Sequence, residues 1–231
     1  MLTWHATKRH ATSVTYKWVA CAGAVLCMAG CAGIGPDRSQ TAIKTLLSGW
    51  ATIRGRWEIG WLAFGSGMQV AAGDRMHVSE DRPSHLELTD DRSLTILGPD
   101  TMAVLETAST YRSVTQTRLR LENGGVYAAI DEPLGEGYLE VKTPVGTAGL
   151  DKTLGGSAMM VGVDAEAGVT RIACVRGSVT VQAGRTSIAL SPGTWIALAR
   201  KGREQRVQAF EDQPPEIDPF LWQVATRVRE P

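Results

Sequence analysis

Thiol and imidazole side chains are scarce in this chain of 231 residues, and most of them lie near its N-terminus. Three of the four cysteines share one apolar stretch there: Cys21, Cys27 and Cys31. Cys174 is alone in the rest of the chain and shares a predicted strand face with Ile172, which favours a buried, unreactive thiol. His77 and His85 have no cysteine or further histidine at metal-ligand spacing. The sequence therefore predicts neither a zinc site nor a disulfide framework.

Carboxylate and hydroxyl groups form no recognisable catalytic arrangement either. The acidic pairs Glu80-Asp81 and Asp90-Asp91 stand beside turn residues, where carboxylates commonly cap backbone amides. Ser66 lies between two glycines without the strand, turn and helix that surround an activated serine. We therefore predict a non-enzymatic protein that has no catalytic residue, no metal site and no cofactor.

The first 30 residues have the pattern of a secretory signal peptide. They carry three cations, Lys8, Arg9 and Lys17, and no acid, and they end in an apolar run over residues 18–29. That run is shorter than the roughly 20 apolar residues that a membrane-spanning helix needs. A cleaved signal peptide is therefore the favoured interpretation, and an uncleaved single-span anchor is the alternative.

Cys31 is the residue with the clearest predicted chemistry. The sequence Met28-Ala29-Gly30-Cys31 resembles the bacterial lipobox, in which the cysteine is acylated on sulfur before cleavage makes it the first residue. Ala32 follows rather than aspartate, which by the enteric sorting rule implies the outer membrane. We predict a lipoprotein on the periplasmic side of a bacterial cell envelope, held to the membrane by acyl chains such as palmitate. Cleavage would leave 21 basic and 24 acidic residues, so anionic lipids would add little to the attachment.

The balance of charge limits the other partners. Lysine plus arginine and aspartate plus glutamate each number 24, so the chain has no basic excess to drive binding to a phosphate backbone. With 43% hydrophobic and 21% charged residues, the composition is that of a folded domain. We predict no nucleic-acid partner.

From about residue 50 the apolar residues repeat every two positions, which is typical of half-buried strands. Pairs with this spacing include Leu86 and Leu88, Leu119 and Leu121, Leu139 and Val141, and Val179 and Val181. Glycine, asparagine and aspartate recur between the pairs, as turns require. The pattern predicts an all-β fold, either a β-sandwich or a β-roll of stacked hairpins. The predicted segments are a signal peptide over 1–30, a linker over 31–42, the β-domain over 43–205, and an acidic, proline-rich linker with an apolar tail over 206–231.

Two short elements repeat within the β-domain. In the first, a strand is interrupted by glycine: residues 117–126 match 170–179, and residues 53–59 match 175–181. In the second, a strand ends, turns through Gly, Pro or Asp and restarts, as in residues 64–70, 97–103 and 190–196. Such repetition indicates stacked β-units with equivalent turns, although the irregular period disfavours a regular solenoid or propeller.

Six segments, in order along the chain, resemble the FecR domain family. They are residues 73–76, 85–94, 97–101, 118–126, 141–150 and 175–181, which carry a Gly-Asp turn, an alternating strand with a hairpin, a Gly-Pro turn, a strand-Gly-strand unit, a Thr-Pro stretch and a closing strand. The resemblance spans about residues 50–200 and implies a FecR-like β-domain. The chain departs from the family at the hairpin tip, where Asp91-Arg92 replaces Asp-Gly, and at Asp151-Lys152-Thr153.

The resemblance implies an interaction or ligand-sensing module with a protein partner in the envelope. Founding members of the family are inner-membrane regulators that hold a sigma factor on the cytoplasmic side. Only 17 residues precede the apolar run here, so we expect a lipoprotein module, with a single-span regulator of sigma-factor signalling as an alternative.

Two aromatic segments are further candidates for binding. Trp50, Trp57 and Trp61 fall within 12 residues. Stacked tryptophans can bind sugars, so a peptidoglycan- or glycan-binding module is another alternative, although packing is favoured for Trp57, which aligns with Val179. The tail residues Phe220, Leu221 and Trp222 follow Pro214 and Pro215, and they predict either packing on the β-domain or, as we favour, docking on a partner.

Overall fold

The structure is a computed structural model that describes residues 44–49, 51–56, 59–79, 86–89, 92–111, 114–151, 153, 155–199, 207–210, 219 and 221–223. The strands are β1 (Lys44–Gly49), β2 (Ala51–Arg54), β3 (Leu62–Phe64), β4 (Gln69–Val70), β5 (Arg75–Val78), β6 (Leu86–Thr89), β7 (Ser93–Leu97), β8 (Thr101–Tyr111), β9 (Val114–Ile130), β10 (Tyr138–Lys142), β11 (Thr147–Leu150), β12 (Ser157–Asp164), β13 (Val169–Arg176), β14 (Val179–Ala183), β15 (Thr186–Leu190), β16 (Thr194–Ala199) and β17 (Val207–Ala209). In the part of the chain that the structure describes, no helix is long and apolar enough to span a membrane.

The strands form two sheets that share β9. Sheet A has the order β4-β1-β6-β7-β9-β12-β13-β16-β17. Sheet B has the order β3-β2-β5-β8-β9-β10-β11-β14-β15. Every pairing is antiparallel except that of β9 with β10. Buried side chains of both sheets form one core cluster, so the predicted all-β fold is confirmed as a two-sheet sandwich.

Strand β9 passes from one sheet to the other at a glycine. Up to Asn123 it pairs with β8 in sheet B, and from Gly124 it pairs with β12 in sheet A. Gly124 has a φ of 82°, a left-handed conformation that bends the strand and that only glycine adopts without cost. Burial alternates along β9 before Gly124 and becomes almost continuous after it, because the second half of the strand is covered on both faces.

The second sequence repeat corresponds to three equivalent turns. Gly67, Asp100 and Gly193 occupy the same position in the three copies, and their φ angles are 82°, 48° and 77°. Each turn carries the chain between sheets, from β3 to β4, from β7 to β8 and from β15 to β16. Asp100 is the one residue other than glycine with positive φ among those described. The repeat therefore encodes a left-handed turn that links the two layers.

The first repeat corresponds to a second kind of crossing. Gly177 aligns with Gly124, has a φ of 71°, and joins β13 of sheet A to β14 of sheet B. Both glycines are tightly packed: a Cβ on Gly177 would lie 2.9 Å from Cα of Ser157, and one on Gly124 would lie 2.6 Å from Cα of Thr101. The third copy of the repeat, at Gly55, does not mark a crossing between sheets, because β2 and β3 lie in the same sheet.

The outer faces of the two sheets differ in polarity. Sheet B presents charged side chains outward from β8, β9 and β10. Sheet A instead presents a second buried apolar cluster, which includes Ile96, Tyr127, Met160, Trp195 and Leu221. Leu221 belongs to the tail, so part of the C-terminal segment packs against sheet A. This corrects the favoured expectation that the apolar tail is presented to a partner, because the side chain of Leu221 is fully buried.

Candidate interaction surface

Several residues singled out from the sequence lie outside the described part of the chain. These are Cys31, Trp50, Trp57, Glu80, Asp81, His85, Asp90, Asp91 and Phe220. The predictions of lipidation at Cys31 and of packing for Trp57 therefore remain predictions. Ser66 is described, and it lies in an exposed turn in which the amide of Met68 donates a hydrogen bond of 3.1 Å to the carbonyl of Gly65. Ser66 is therefore a turn residue.

Exposed apolar side chains concentrate at strand β3, at one end of sheet B. Four of the five large hydrophobic side chains that are exposed among the described residues lie in β3 or in the segments on either side of it: Ile59, Trp61, Leu62 and Met68, which we call the β3 patch. Leu62 is the cross-strand partner of the inward-facing Ile53, so Leu62 and Trp61 lie on opposite faces of this edge. Ile59 is fully exposed and Leu62 is 53% exposed. Strand β3 pairs with β2 on one side, and no described strand pairs with its other side. An unpaired edge beside apolar side chains is the kind of surface at which proteins associate.

Trp61 is oriented by two neighbouring side chains on sheet B. The guanidinium carbon of Arg54 lies 5.2 Å from the centre of the Trp61 ring, within the range of a cation–π contact. The ring of His77 lies 5.9 Å away and is tilted by 59°. Arg54 comes from β2 and His77 from β5, so the sheet register brings both to the indole. Trp61 remains 39% exposed and can therefore contact another molecule while its orientation is fixed.

A network of ion pairs covers the outer face of sheet B next to this patch. Arg75 pairs with Glu122, and Arg120 bridges Glu122 at 3.1 Å and Glu106 at 3.0 Å. Lys142 extends the network to Glu106 at 3.7 Å. Each pair is partly exposed, so each contributes little to stability by itself. The opposite charges nevertheless offset one another on this face, although Nε of Arg75 and Nε of Arg120 are buried without a hydrogen-bond partner.

A second ion pair on the same face is separate from that network. Nε and Nη2 of Arg118 donate to the same oxygen of Glu140 at 2.9 and 2.8 Å. These hydrogen bonds raise the pKa of Arg118, with a smaller opposing effect of burial. The guanidinium also lies 5.3 Å from the ring centre of Tyr138. Arg118 is thus held by contacts with Glu140 and Tyr138.

An open depression of about 270 Å³ lies on sheet A, and its floor includes Gly125 and Gly162. Its carboxylates already have partners: Asp100 accepts a hydrogen bond of 3.1 Å from Asn123, and Asp164 accepts one of 2.8 Å from the amide of Ala167. No group of three or more potential metal ligands occurs among the residues that the structure describes. The depression is therefore an open concave surface whose described lining contains no cluster of metal ligands.

Cys174 is buried in the core between the sheets. Its Sγ lies 3.7 Å from the carbonyl oxygen of Arg176 and 3.6 Å from that of Gly177. Burial raises the pKa of the thiol to about 11, because the thiolate loses its solvation. The side chain therefore stabilises the core as a small apolar group, as its strand position predicted.

We expect Cys174 to resist thiol reagents in the folded protein. With a pKa of about 11, roughly one molecule in a thousand carries the thiolate at pH 8, before limited access slows the reaction further. Iodoacetamide labelling followed by peptide mass spectrometry should give little modification of Cys174 at pH 8, and complete modification in 6 M guanidinium chloride. Rapid labelling in the folded state would contradict the buried position.

Comparison with known protein families identifies the β-domain. The sequence model of the FecR protein family matches residues 74–180, which span β5 to β14 with both glycine crossings and one of the left-handed turns. The chain contains a FecR domain. The resemblance inferred from the six sequence segments is thus confirmed at the level of the domain.

Two crystal structures of "a putative anti-sigma factor from Parabacteroides distasonis ATCC 8503" are similar to this chain. Each has a TM-score of 0.48 and 14% sequence identity, and the match covers 59% of this chain and 60% of that one. The chain thus spans about 60% of the length of the protein it matches. No protein of curated function matches in sequence.

The two sheets bring some of the residues singled out from the sequence together and leave others apart. Trp61 lies on the face of sheet B that also carries the ion pairs, whereas Leu221 lies on the opposite sheet. The sequence did not identify Arg54 as a contact of Trp61 or Gly125 as the position that Leu221 covers. The alternation of Thr52 and Arg54 with buried Ala51 and Ile53 placed Arg54 on an outer face, but nothing local indicated its contact with Trp61.

Proposed function

We propose that this protein is a non-enzymatic module of the bacterial cell envelope whose FecR domain binds another protein through the β3 patch. The observation that carries the proposal is the concentration of exposed apolar side chains at an unpaired sheet edge. Trp61 supplies a rigid aromatic contact, and tryptophan is enriched among residues that dominate binding energy. The edge of β3 supplies backbone groups that an extended segment of a partner can pair with.

We propose that the module reaches its partner from a lipid anchor at Cys31, on the periplasmic face of the outer membrane. The support is the sequence Met28-Ala29-Gly30-Cys31 and the cationic segment before it. Acyl chains would restrict the domain to the membrane surface and raise its effective concentration towards other envelope proteins. The partner in this proposal is an envelope protein.

Regulation of sigma-factor signalling is the second candidate function. The FecR domain favours it, since the family resemblance implies such regulators, and the apolar run at residues 18–29 would then be an uncleaved anchor. A glycan-binding module is the third candidate, because the ring of Trp61 is partly exposed and held in a fixed orientation. The leading proposal differs from the signalling candidate in its attachment, which is a lipid rather than an uncleaved anchor. It differs from the glycan-binding candidate in its ligand, which is a protein.

Site-specific photocrosslinking in cells tests the protein-binding surface. A benzophenone amino acid at Leu62, in the β3 patch, should give a discrete adduct with another protein. The same amino acid at Ser187, which is exposed on β15 at the other edge of sheet B, is the matched control and should give none. Adding Trp61→Ala should lower the Leu62 adduct on the order of tenfold, because an aromatic contact at the centre of an interface contributes strongly to affinity.

The outcomes separate the three candidates. Mass spectrometry of the adduct names the partner, and an outer-membrane receptor of the kind that FecR-family regulators contact on their periplasmic side would favour the signalling alternative. Saturable quenching of tryptophan fluorescence by peptidoglycan fragments, lost in Trp61→Ala, would favour the glycan alternative. Equal adducts at Leu62 and Ser187, or none at either, would count against the β3 patch as the binding surface.

A further inference from the structure

The outer face of sheet A carries a row of large apolar side chains that are buried although they point away from the core. Ile96 pairs with Tyr127, Tyr127 with Met160, Met160 with Ala173, and Ala173 with Trp195, so the five residues form one line across five strands. None of them is more than 7% exposed. A face of this kind needs a cover, and the described residues that pack against it include Leu221 and Trp222 of the tail, as well as Phe210.

A slot lies beside this row because two neighbouring positions lack side chains. Gly125 and Gly162 are cross-strand partners on β9 and β12, two residues along from Tyr127 and Met160. Leu221 lies over Gly125 so closely that a Cβ there would be 2.5 Å from Cδ1 of the leucine. Nothing lies within 4 Å of a Cβ built on Gly162. The slot thus accepts one leucine side chain and continues as the open depression.

The described tail residues have the character of a docked segment rather than of a core element. Leu221 is fully buried, Trp222 is partly buried, and Pro219 and Gln223 are exposed. The ring of Trp222 meets that of Phe210 edge-on at 5.8 Å. No described tail residue adds a strand to either sheet. Among the described tail residues, the contacts with the β-domain include Leu221 in the slot and the edge-on contact of Trp222 with Phe210.

We propose that the slot over Gly125 is a second docking site, which recognises a leucine followed by an aromatic residue in a partner protein. The chain's own tail fills the slot until such a partner displaces it. The occupied slot shows the chemistry that fits: an aliphatic side chain over Gly125 and an aromatic ring against Phe210. Arg171 lines the depression next to the slot, and residues 211–218 of the tail carry four acids. We therefore expect acidic residues ahead of the leucine in the partner segment. This site lies on the sheet opposite the ion pairs and does not rest on the proposed role of the β3 patch.

The covalent connection makes the tail an internal competitor. A segment tethered by a short linker is present at an effective concentration on the order of millimolar, so a free segment of equal affinity cannot compete. Binding in trans should become measurable when the two tail residues that fill the site are removed. Displacement by a partner then requires tighter contacts than Leu221 and Trp222 supply.

The test is binding of a peptide to the full-length chain. A fluorescein-labelled peptide with the sequence of residues 214–226 should bind the double variant Leu221→Ser, Trp222→Ser saturably, as measured by fluorescence anisotropy, and should bind the wild-type chain at least tenfold more weakly. A peptide in which serine replaces the leucine should not bind. Adding Gly125→Val to the double variant should abolish binding, because the new side chain fills the slot. The control variant Gln223→Ser, at an exposed position of the same turn, should behave as wild type.

Three outcomes would overturn the proposal. The first is a folded double variant, judged by its circular dichroism, that does not bind the peptide. The second is equal binding of the two peptides, which would indicate contact without recognition of leucine. The third is a double variant that no longer folds, which would make the tail a structural clasp of the sandwich.

Discussion

Valine in place of Gly124 or Gly177 is expected to lower the free energy of unfolding by about 3 to 5 kcal/mol, which is a large part of the stability of a typical domain. Two costs add at each site. A β-branched residue is strained at the φ angles of 82° and 71°. Its Cβ would also lie 2.5 Å from the carbonyl oxygen of Asp100 at position 124, and 2.9 Å from Cα of Ser157 at position 177. These are backbone atoms of packed neighbouring segments, which cannot move aside as a flexible side chain can.

A matched control separates strain from crowding. Gly184 has a φ of 60°, but no atom lies within 4 Å of a Cβ built there. Gly184→Val should therefore cost only the backbone strain of a left-handed β-branched residue, about 1 to 2 kcal/mol. Urea denaturation of the three variants measures the difference. Equal losses at positions 124, 177 and 184 would contradict the tight packing of the two crossings.

Loss of lipid from the protein is the second large effect, and we expect it to be complete in Cys31→Ser. In the proposed lipoprotein, the lipid is attached to the sulfur of Cys31 through a thioether, which a serine hydroxyl cannot form. The signal peptide should then remain uncleaved, or the protein should become soluble. Metabolic labelling with a fatty acid, followed by electrophoresis and fractionation of the envelope, measures both. Replacement of the Cys31 thiol alone should therefore abolish fatty-acid labelling of the protein.

Cys21→Ser and Cys27→Ser are the controls for this experiment, because both lie in the same apolar stretch without the lipobox sequence. Both variants should keep the label and the membrane attachment. Label that persists in Cys31→Ser would place the lipid at Cys21 or Cys27. That result would favour the single-span anchor over the cleaved lipoprotein.

The repeats show how far local sequence can predict this fold. Residues 97–101 and 190–194 align at their Pro residues, and the structure gives Asp100 and Gly193 the same left-handed backbone. Aspartate tolerates that conformation better than most residues, so the repeat survives without a glycine in one copy. The glycines that interrupt the strands of the first repeat, Gly124 and Gly177, also have positive φ, and the need for glycine there follows from the backbone geometry of one residue.

The position of the tail shows where this reasoning fails. The sequence of residues 219–223 offers an apolar cluster after prolines, which favoured presentation to a partner. The structure places Leu221 over Gly125, which is 96 positions earlier in the chain. Gly125 follows Gly124 in the sequence, and nothing local distinguishes a glycine that makes room for a distant side chain from one that bends a strand.

The sequence by itself determined the strand periodicity, the left-handed turns and the presence of a FecR domain, and it contains the lipobox-like motif at Cys31. Each of these features depends on neighbouring residues or on a short pattern. The tertiary structure decided which strands pair, where β9 changes sheet, how Arg54 and His77 meet Trp61, and why one sheet is charged outside while the other is covered. These depend on contacts between residues far apart in the chain, and their free energy comes from burial that exists only once both sheets are assembled.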